Sequence, residues 1–264
     1  MKTNFETLQV TIEDKIVTVT INRPKALNAL SEQVLSELKE LFTSLNDNEF
    51  PYSGVLLTGE GERAFIAGAD IKAMQEMDIS AADTFCKLGQ DVTLLIEKLP
   101  IPVIACVNGF ALGGGCEMAM SCDFIYATKS AIFGQPEVNL GLIPGFGGTQ
   151  RLVRYVGAPR AKELIYSARN VKAAEAFEIG LVQRLFENQD EMMKGAKEML
   201  AMIGSKSPLI VSKCKEVIGA GEYATIEAGL ELERSAFAWS FGTEDQKEGV
   251  TAFIEKRPAQ FKGR

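Results

Sequence analysis

Two glycine-rich segments each carry a glutamate, and the first is residues 108–117. Gly113, Gly114 and Gly115 stand where a helix is predicted to begin. A helix N-terminus has backbone N–H groups without acceptors and the positive end of the helix dipole, which suits an oxyanion. Glu117 falls in the first turn. It is a candidate general acid or base, although a residue that only compensates the dipole has the same position.

The second segment, residues 133–151, packs many glycines and prolines around Glu137, which directly follows Pro136. The neighbouring side chains are apolar: Phe133, Val138, Leu140 and Ile143. A carboxyl group in such surroundings is predicted to be part-buried, and burial raises the pKa of a carboxyl group. The alternative is a loop glutamate that caps a neighbouring group.

A third segment, residues 64–72, places Ala67, Gly68 and Ala69 after a predicted strand and before a predicted helix. Residues this small let the backbone approach a ligand and direct N–H groups at it. A simple tight turn would have the same composition.

The sequence contains no histidine. This excludes Ser-His-Asp and Cys-His mechanisms and histidine-based zinc or iron sites, so acid–base chemistry falls to carboxylates, Lys, Tyr or Cys. Neither a P-loop nor a G-x-G-x-x-G fingerprint occurs. We therefore expect no metal and no nucleotide cofactor.

The elements around these segments alternate between strands and helices. Residues 8–12 and 15–21 predict a hairpin, and Ser31 opens an amphipathic helix. Further along, strands are predicted at 54–59, 102–107 and 123–128, and helices at 80–98 and 114–121. This order predicts an α/β fold with right-handed crossovers.

After Gly148 the patterns are mainly helical, with one possible strand at 180–185. Helices are predicted at 149–156, 159–168, 172–179, 189–204, 208–219, 222–240 and 243–256. With no linker in between, we predict a mixed core over 1–200 and a docked helical region over 201–264.

Composition limits the classes of partner. The net charge is −7, which argues against a nucleic-acid partner, and no apolar run is long enough to span a membrane. The first residues resemble neither a secretory nor a transit signal. Five cysteines without a C-x-x-C pair favour a reduced, cytoplasmic protein.

Together the segments resemble the crotonase superfamily, most closely its short-chain enoyl-CoA hydratases. The matching motifs occur in family order over nearly the whole chain: residues 21–30 (INRPKALNAL), 67–70 (AGAD), 109–117 (GFALGGGCE), 134–137 (GQPE), 143–151 (IPGFGGTQR) and 248–257 (EGVTAFIEKR). The resemblance implies a spiral of β-β-α repeats with a C-terminal helical region that forms trimers or dimers of trimers.

The resemblance also implies the site. The thioester carbonyl would lie between the amides of Ala69 and Gly114, and Glu117 and Glu137 would handle water and protons. The implied substrate contacts come from the first loop, the AGAD segment, the helix after it and the tail: Lys25, Ala26, Leu27, Ala67, Asp70, Ile71, Met74, Phe253 and Lys256. Coenzyme A (CoA) would be carried by the substrate, with no separate cofactor.

Three functions other than hydration remain open from the sequence alone. An isomerase that moves the double bond between C3 and C2 needs only one proton-carrying glutamate. An RNA-binding relative would use a lysine-rich helix, but residues 79–99 hold only Lys87 and Lys98 among several acids. A structural CoA-binding subunit would not need both glutamates. The sequence does not determine acyl chain length, pathway, direction, or which glutamate holds the proton.

Overall fold

The structure is a computed structural model that describes residues 2–47 and 49–264. Strands and helices alternate through the first two thirds of the chain, and helices follow. The strands are β1 Leu8–Glu13, β2 Ile16–Ile21, β3 Gly54–Gly59, β4 Ala64–Ile66, β5 Val103–Val107, β6 Phe110–Leu112, β7 Phe124–Thr128, β8 Ile132–Gly134, β9 Val171–Lys172 and β10 Arg184–Phe186. The helices are α1 Glu32–Leu45, α2 Ile71–Met74, α3 Ile79–Glu97, α4 Gly114–Met120, α5 Gly148–Val156, α6 Ala158–Ser167, α7 Ala173–Glu178, α8 Gln189–Gly204, α9 Pro208–Gly221, α10 Ile226–Ser240 and α11 Glu244–Glu255.

A larger sheet has the strand order β1-β2-β3-β5-β7-β10, and its members from β2 onward run parallel. The predicted hairpin is confirmed as the antiparallel pair β1–β2. Asp14 and Lys15 both have positive φ in the two-residue turn, as turns that match the strand twist require. The predicted strand at 180–185 is wrong in its bounds, because only Arg184–Phe186 pairs with the sheet.

A smaller sheet has the order β4-β6-β8-β9, and β4, β6 and β8 run parallel. None of these four strands was among the predicted elements. Each has two or three residues, too few to display an alternating pattern. From β3 to β8, each pair of successive strands gives one strand to the larger sheet and the next to the smaller one, so the predicted crotonase-type spiral of β-β-α repeats is confirmed.

Helices α1 and α3 cover one face of the larger sheet and confirm the predicted helical patterns. Ser31 caps α1 and Asp78 caps α3, each by accepting a backbone N–H with its side chain. The apolar stripe of α1 is fully buried and consists of Val34, Leu35, Leu38, Leu41, Phe42 and Leu45. This burial supplies the hydrophobic free energy that fixes the helices on the sheet.

Helix α8 packs on the opposite face, where Met192, Ala196 and Leu200 join the sheet residues Leu56 and Ile104 in a second apolar cluster. Helices α9 and α10 contain no fully buried residue among those described. The proposed division at residue 200 falls inside α8, and it stays a prediction.

Candidate active site

The three segments singled out in the sequence follow three adjacent parallel strands of the smaller sheet. Residues 67–70 follow β4, Gly113 follows β6, and Gln135 follows β8. Carboxyl ends of parallel strands lie at one edge of a sheet, where ligands commonly bind. A hydrogen bond of 2.9 Å from Gly113 N to the Gly134 carbonyl joins two of these ends.

The backbone around Ala69 is held by Leu30. Leu30 N donates to the Gly68 carbonyl at 2.9 Å, and Asp70 N donates to the Leu30 carbonyl at 2.9 Å. In this parallel bridge Leu30 binds both neighbours of Ala69, so the N–H of Ala69 points the opposite way. Within the described residues, that N–H has no protein acceptor.

Gly114 is the first residue of α4, where a backbone N–H has no partner inside the helix. The preceding Gly113 has φ 50° and ψ −123°, a conformation open in practice only to glycine. A β-carbon on Gly115 would lie 2.0 Å from the Ile66 carbonyl oxygen. Glycines therefore let the start of α4 press against the end of β4, three residues before Ala69.

Glu117 is 1% exposed, and its Oε1 accepts two backbone hydrogen bonds. They come from Phe146 N at 2.8 Å and Gly148 N at 2.6 Å. Burial raises the pKa of Glu117 to about 7, and the nearby Glu137 adds to the rise, while the two amides and Arg151 oppose it. A carboxyl group with such a pKa exchanges protons at neutral pH.

Glu137 begins a 3-10 turn, Glu137–Leu140, directly after the smaller sheet. Its Oε2 is buried and has no hydrogen-bond partner in the part of the chain described. Glu137 is half-buried, which confirms the predicted part-buried carboxyl group, and burial raises its pKa. Glu137 raises the pKa of Glu117, so the two carboxyl groups interact electrostatically although twenty positions separate them.

The first loop lies beside the AGAD segment. Ala67 N donates to the Leu27 carbonyl at 3.1 Å, which ties the loop to this segment. Lys25 and Ala26 lie on the same turn and are exposed, and their predicted contact with the substrate stays a prediction. Arg23, which the sequence analysis did not single out, forms an ion pair of 3.2 Å with Asp70 and donates to the Ala29 carbonyl. The pair links the loop to the start of α2.

The other predicted substrate contacts lie on α2 and at the end of α11. Ile71 is exposed and Met74 half-buried on α2, directly after the segment that contains Ala69. Phe253 and Lys256 lie at the end of α11, and both are exposed. Their predicted role at the ligand of a neighbouring subunit stays a prediction.

Phe146, Gly148, Arg151 and Gln135 belong to the site without having been assigned a role from sequence. These residues lie in the motifs that carried the family resemblance. Their roles were not predicted, because Phe146 and Gly148 act through backbone amides and Arg151 pairs with a residue distant in sequence. Gln135 is buried, and its Oε1 has no partner among the described residues. A separate groove of about 900 Å³ between α9, α11 and the ends of α4 and α5 contains none of the predicted site residues.

Residues 2–47 and 49–264 contain no helix that is long and apolar enough to cross a membrane. In the same residues, no group of three or more His, Cys, Asp or Glu side chains is arranged to hold a metal ion. The prediction of a metal-free site stays a prediction.

Comparison with known proteins places the chain in a family. A family profile described as enoyl-CoA hydratase/isomerase matches residues 11–264. The chain is 51% identical to the short-chain-enoyl-CoA hydratase of Clostridium acetobutylicum over 96% of both chains. It is 47% identical to the crotonyl-CoA hydratase of Syntrophomonas wolfei, over 97% of this chain and 98% of that protein.

Comparison with solved structures leads to the same family. The crystal structure of an enoyl-CoA hydratase from Bacillus anthracis has a TM-score of 0.94 and 39% identity, with 98% of this chain and 100% of that chain covered. Sequence motifs, strand topology and the paired glutamates all point the same way. The chain belongs to the enoyl-CoA hydratase/isomerase family, the crotonases.

Proposed function

We propose that this enoyl-CoA hydratase adds water across the C2–C3 double bond of trans-2-enoyl-CoA thioesters and gives 3-hydroxyacyl-CoA, with Glu117 and Glu137 as the proton-transfer groups. Relatives at 51% and 47% identity that are named as hydratases of short-chain enoyl-CoA and crotonyl-CoA support the substrate class. The observation that carries the mechanism is that buried Glu117 and half-buried Glu137 lie at the sheet edge that also presents two backbone amides without protein acceptors.

Negative charge develops on the thioester oxygen when water attacks C3. The N–H groups of Ala69 and Gly114 follow neighbouring strands, and their free positions suit them to stabilise this oxygen. One such fixed donor typically contributes about 10²–10³ in kcat. The donors are part of the backbone, so no side chain has to reorganise during the reaction.

The environments of the two glutamates differ, which supports different roles. Glu117 has one oxygen fixed by two amides, which stabilise its anion and leave Oε2 for a water molecule. Glu137 has a buried oxygen with no donor, so its protonated form is favoured. In the proposed step the water oxygen bonds to C3, its proton passes to Glu117, and the proton of Glu137 passes to C2.

This reaction is proton transfer with charge stabilisation and needs neither an electron carrier nor a group carrier. We therefore propose that CoA enters with the substrate and that no other cofactor takes part. Prolonged dialysis against EDTA should leave the activity intact. Loss of activity that added metal restores would overturn this part of the proposal.

We further propose a homotrimer or a dimer of trimers in the cytoplasm, in which the end of α11 reaches the CoA of a neighbouring subunit. Support comes from exposed large apolar side chains on and between the last helices, since extensive exposed apolar surface marks association sites. They are Ile218, Tyr223, Ile226, Leu230, Leu232, Phe237, Trp239, Phe241, Val250, Phe253 and Ile254. The free cysteines support a reducing compartment. Analytical ultracentrifugation tests the assembly.

The direct test of the activity uses the purified protein with crotonyl-CoA. Hydration removes the conjugated double bond, so the ultraviolet absorbance of the enoyl thioester falls. A parallel assay with a 3-enoyl-CoA measures isomerisation. Isomerisation without measurable hydration would overturn the hydratase proposal and favour the isomerase alternative.

A further inference from the structure

Arg151 lies behind the loop that binds Glu117. It belongs to α5, and its residue is 7% exposed. Its Nη1 donates to the Phe146 carbonyl at 2.9 Å, and its Nη2 donates to Glu97 Oε2 at 2.8 Å. Nη1 also lies 3.3 Å from the Thr93 hydroxyl. The guanidinium therefore joins the loop to the last turns of α3.

The same loop presents its amides to Glu117 on the other side. Phe146 donates its N–H to Glu117 Oε1 while its carbonyl accepts from Arg151. One residue earlier, the Gly145 carbonyl accepts from Gln90 Nε2 at 2.9 Å and from the Cys86 thiol at 2.9 Å. The carbonyls of the loop thus turn to α3 and α5, which leaves the amides of Phe146 and Gly148 facing the carboxylate.

Packing leaves little freedom in this arrangement. A β-carbon on Gly147 would lie 2.3 Å from Arg151 Nη1, and one on Gly89 would lie 2.3 Å from the Phe146 ring. The Arg151 Nε is buried and has no partner among the described residues. The guanidinium is therefore largely buried and faces the loop at close range.

Arg151 also adds a positive charge near Glu117. The titratable groups around Glu117 are Glu137 after the smaller sheet, Cys86 on α3 and Cys116 on α4, with Glu97 beyond Arg151. Arg151 lowers the pKa of Glu117, against the effects of burial and of Glu137. Loss of this cation would disfavour the ionised Glu117 that activates water.

We propose that Arg151, anchored by Glu97 and Thr93, is a positioning residue that holds the loop 145–148 so that the Phe146 and Gly148 amides orient Glu117 as its anion. The inference rests on the proposed role of Glu117 in hydration. The guanidinium of Arg151 binds Phe146, Thr93 and Glu97, not Glu117 itself. It acts through the loop.

The test compares Arg151→Met with Arg151→Lys in crotonyl-CoA hydration. Met removes the charge and the hydrogen bonds, and small displacements of a catalytic group cost about 10–100-fold in rate. We expect kcat to fall by about that factor, with KM little changed, and the low-pH limb of the kcat profile to move to higher pH. Lys keeps the charge and one donor, so it should recover part of kcat and most of the pH profile.

The ion pair Lys215–Asp123 provides a matched control. Its side chains are 14% and 23% exposed, against 9% and 29% for Arg151 and Glu97. Lys215 also donates to the Ile96 carbonyl at the same end of α3, but not to the loop 145–148. Lys215→Met should lower the melting temperature and leave kcat and its pH profile unchanged.

A double variant separates catalysis from stability. Arg151→Met with Glu97→Gln removes both charges, so it should recover melting temperature lost by Arg151→Met alone without recovering kcat. If Arg151→Met keeps wild-type kcat and pH profile, or if kcat follows melting temperature across all variants, Arg151 is structural only. These outcomes presuppose an active wild type, whose inactivity would instead refute the proposed function.

Discussion

Glu137 Oε1 lies so close to Gly113 that a β-carbon on Gly113 would be 2.6 Å from it. Gly113, which leads into α4, therefore also packs against the carboxyl group of Glu137. The amide of Gly114 and the carboxyl group of Glu137 are placed by one stretch of backbone. A change at Gly113 should disturb both together.

Gly113→Ala is therefore expected to reduce hydration strongly. The new methyl group displaces Glu137, and alanine strains a backbone with φ 50° and ψ −123° by about 1–3 kcal/mol. We expect kcat to fall by about 10²-fold or more, as after loss of an oxyanion donor. Gly61→Ala is the control, because Gly61 also has positive φ (81°) but open space around it. Equal losses in both variants would show that backbone strain alone is responsible.

The pH dependence of hydration should reflect the two carboxyl groups. Glu117 must be ionised to activate water, and its pKa is raised to about 7, so kcat should decline as the pH falls below that value. Glu137 must be protonated, so the rate should also decline as the pH rises through its raised pKa. A flat profile from pH 5 to 9 in steady-state assays would contradict these protonation states.

The stability of the folded protein should also depend on Glu117, but here the protonated form is the favourable one. The folded protein holds the Glu117 proton more tightly than the unfolded chain, where the pKa is 4.5. This contribution is complete below pH 4.5 and is lost as the pH rises through about 7, so ionised Glu117 costs up to about 3 kcal/mol at pH 8.

Glu117→Gln avoids this cost and should raise the melting temperature at pH 8. The gain should shrink as the pH approaches 4.5, because both states then bind the proton. Glu178→Gln, at an exposed position on α7, serves as the control for loss of a charge. A Glu117→Gln variant less stable than wild type at pH 8 would show that the burial of this carboxylate is not costly.

Chain-length preference should depend on α2. Met74 is half-buried one turn after the segment that contains Ala69, and its flexible side chain suits a variable acyl tail. Met74→Trp should reduce kcat/KM for longer 2-enoyl-CoA substrates more than for crotonyl-CoA. Met193→Trp, at a half-buried position on α8, is the control. An unchanged chain-length profile in the folded Met74 variant would remove α2 from the acyl pocket.

Long elements were predictable from the sequence, whereas the sheet that assembles the site was not. The stripe of α1 and the β1–β2 hairpin repeat their periods several times, so their patterns stand out. The smaller sheet consists of strands too short to show a period, yet β4, β6 and β8 carry the three motifs to one edge. The candidate site residues could therefore be identified from the sequence, but only the fold shows that they lie close together.

Hydrogen bonds donated by backbone amides could not be predicted from the sequence either. Glu117 is bound by the amides of Phe146 and Gly148, and a backbone N–H carries no residue-type signal. The Arg151–Glu97 pair joins side chains 54 positions apart. Their contact depends on how α3 and α5 pack, which no local pattern encodes.

The central claim is that Glu117 and Glu137 act as a pair on one water and one carbon. Replacing either by Gln keeps the shape and removes the ionisable group, so each change should lower crotonyl-CoA hydration by about 10²–10⁴. The double variant should lose much less than the product of the single losses, because residues that act as a unit are not additive. Glu178→Gln should hydrate at the wild-type rate.

The most direct measurement compares hydration with isomerisation in Glu117→Gln, after circular dichroism and CoA binding have established a folded, competent protein. The proposed roles predict that conversion of a 3-enoyl-CoA largely persists while hydration of crotonyl-CoA collapses, because only hydration needs an activated water. Hydration at near wild-type rate in either Glu117→Gln or Glu137→Gln would contradict the two-carboxylate mechanism.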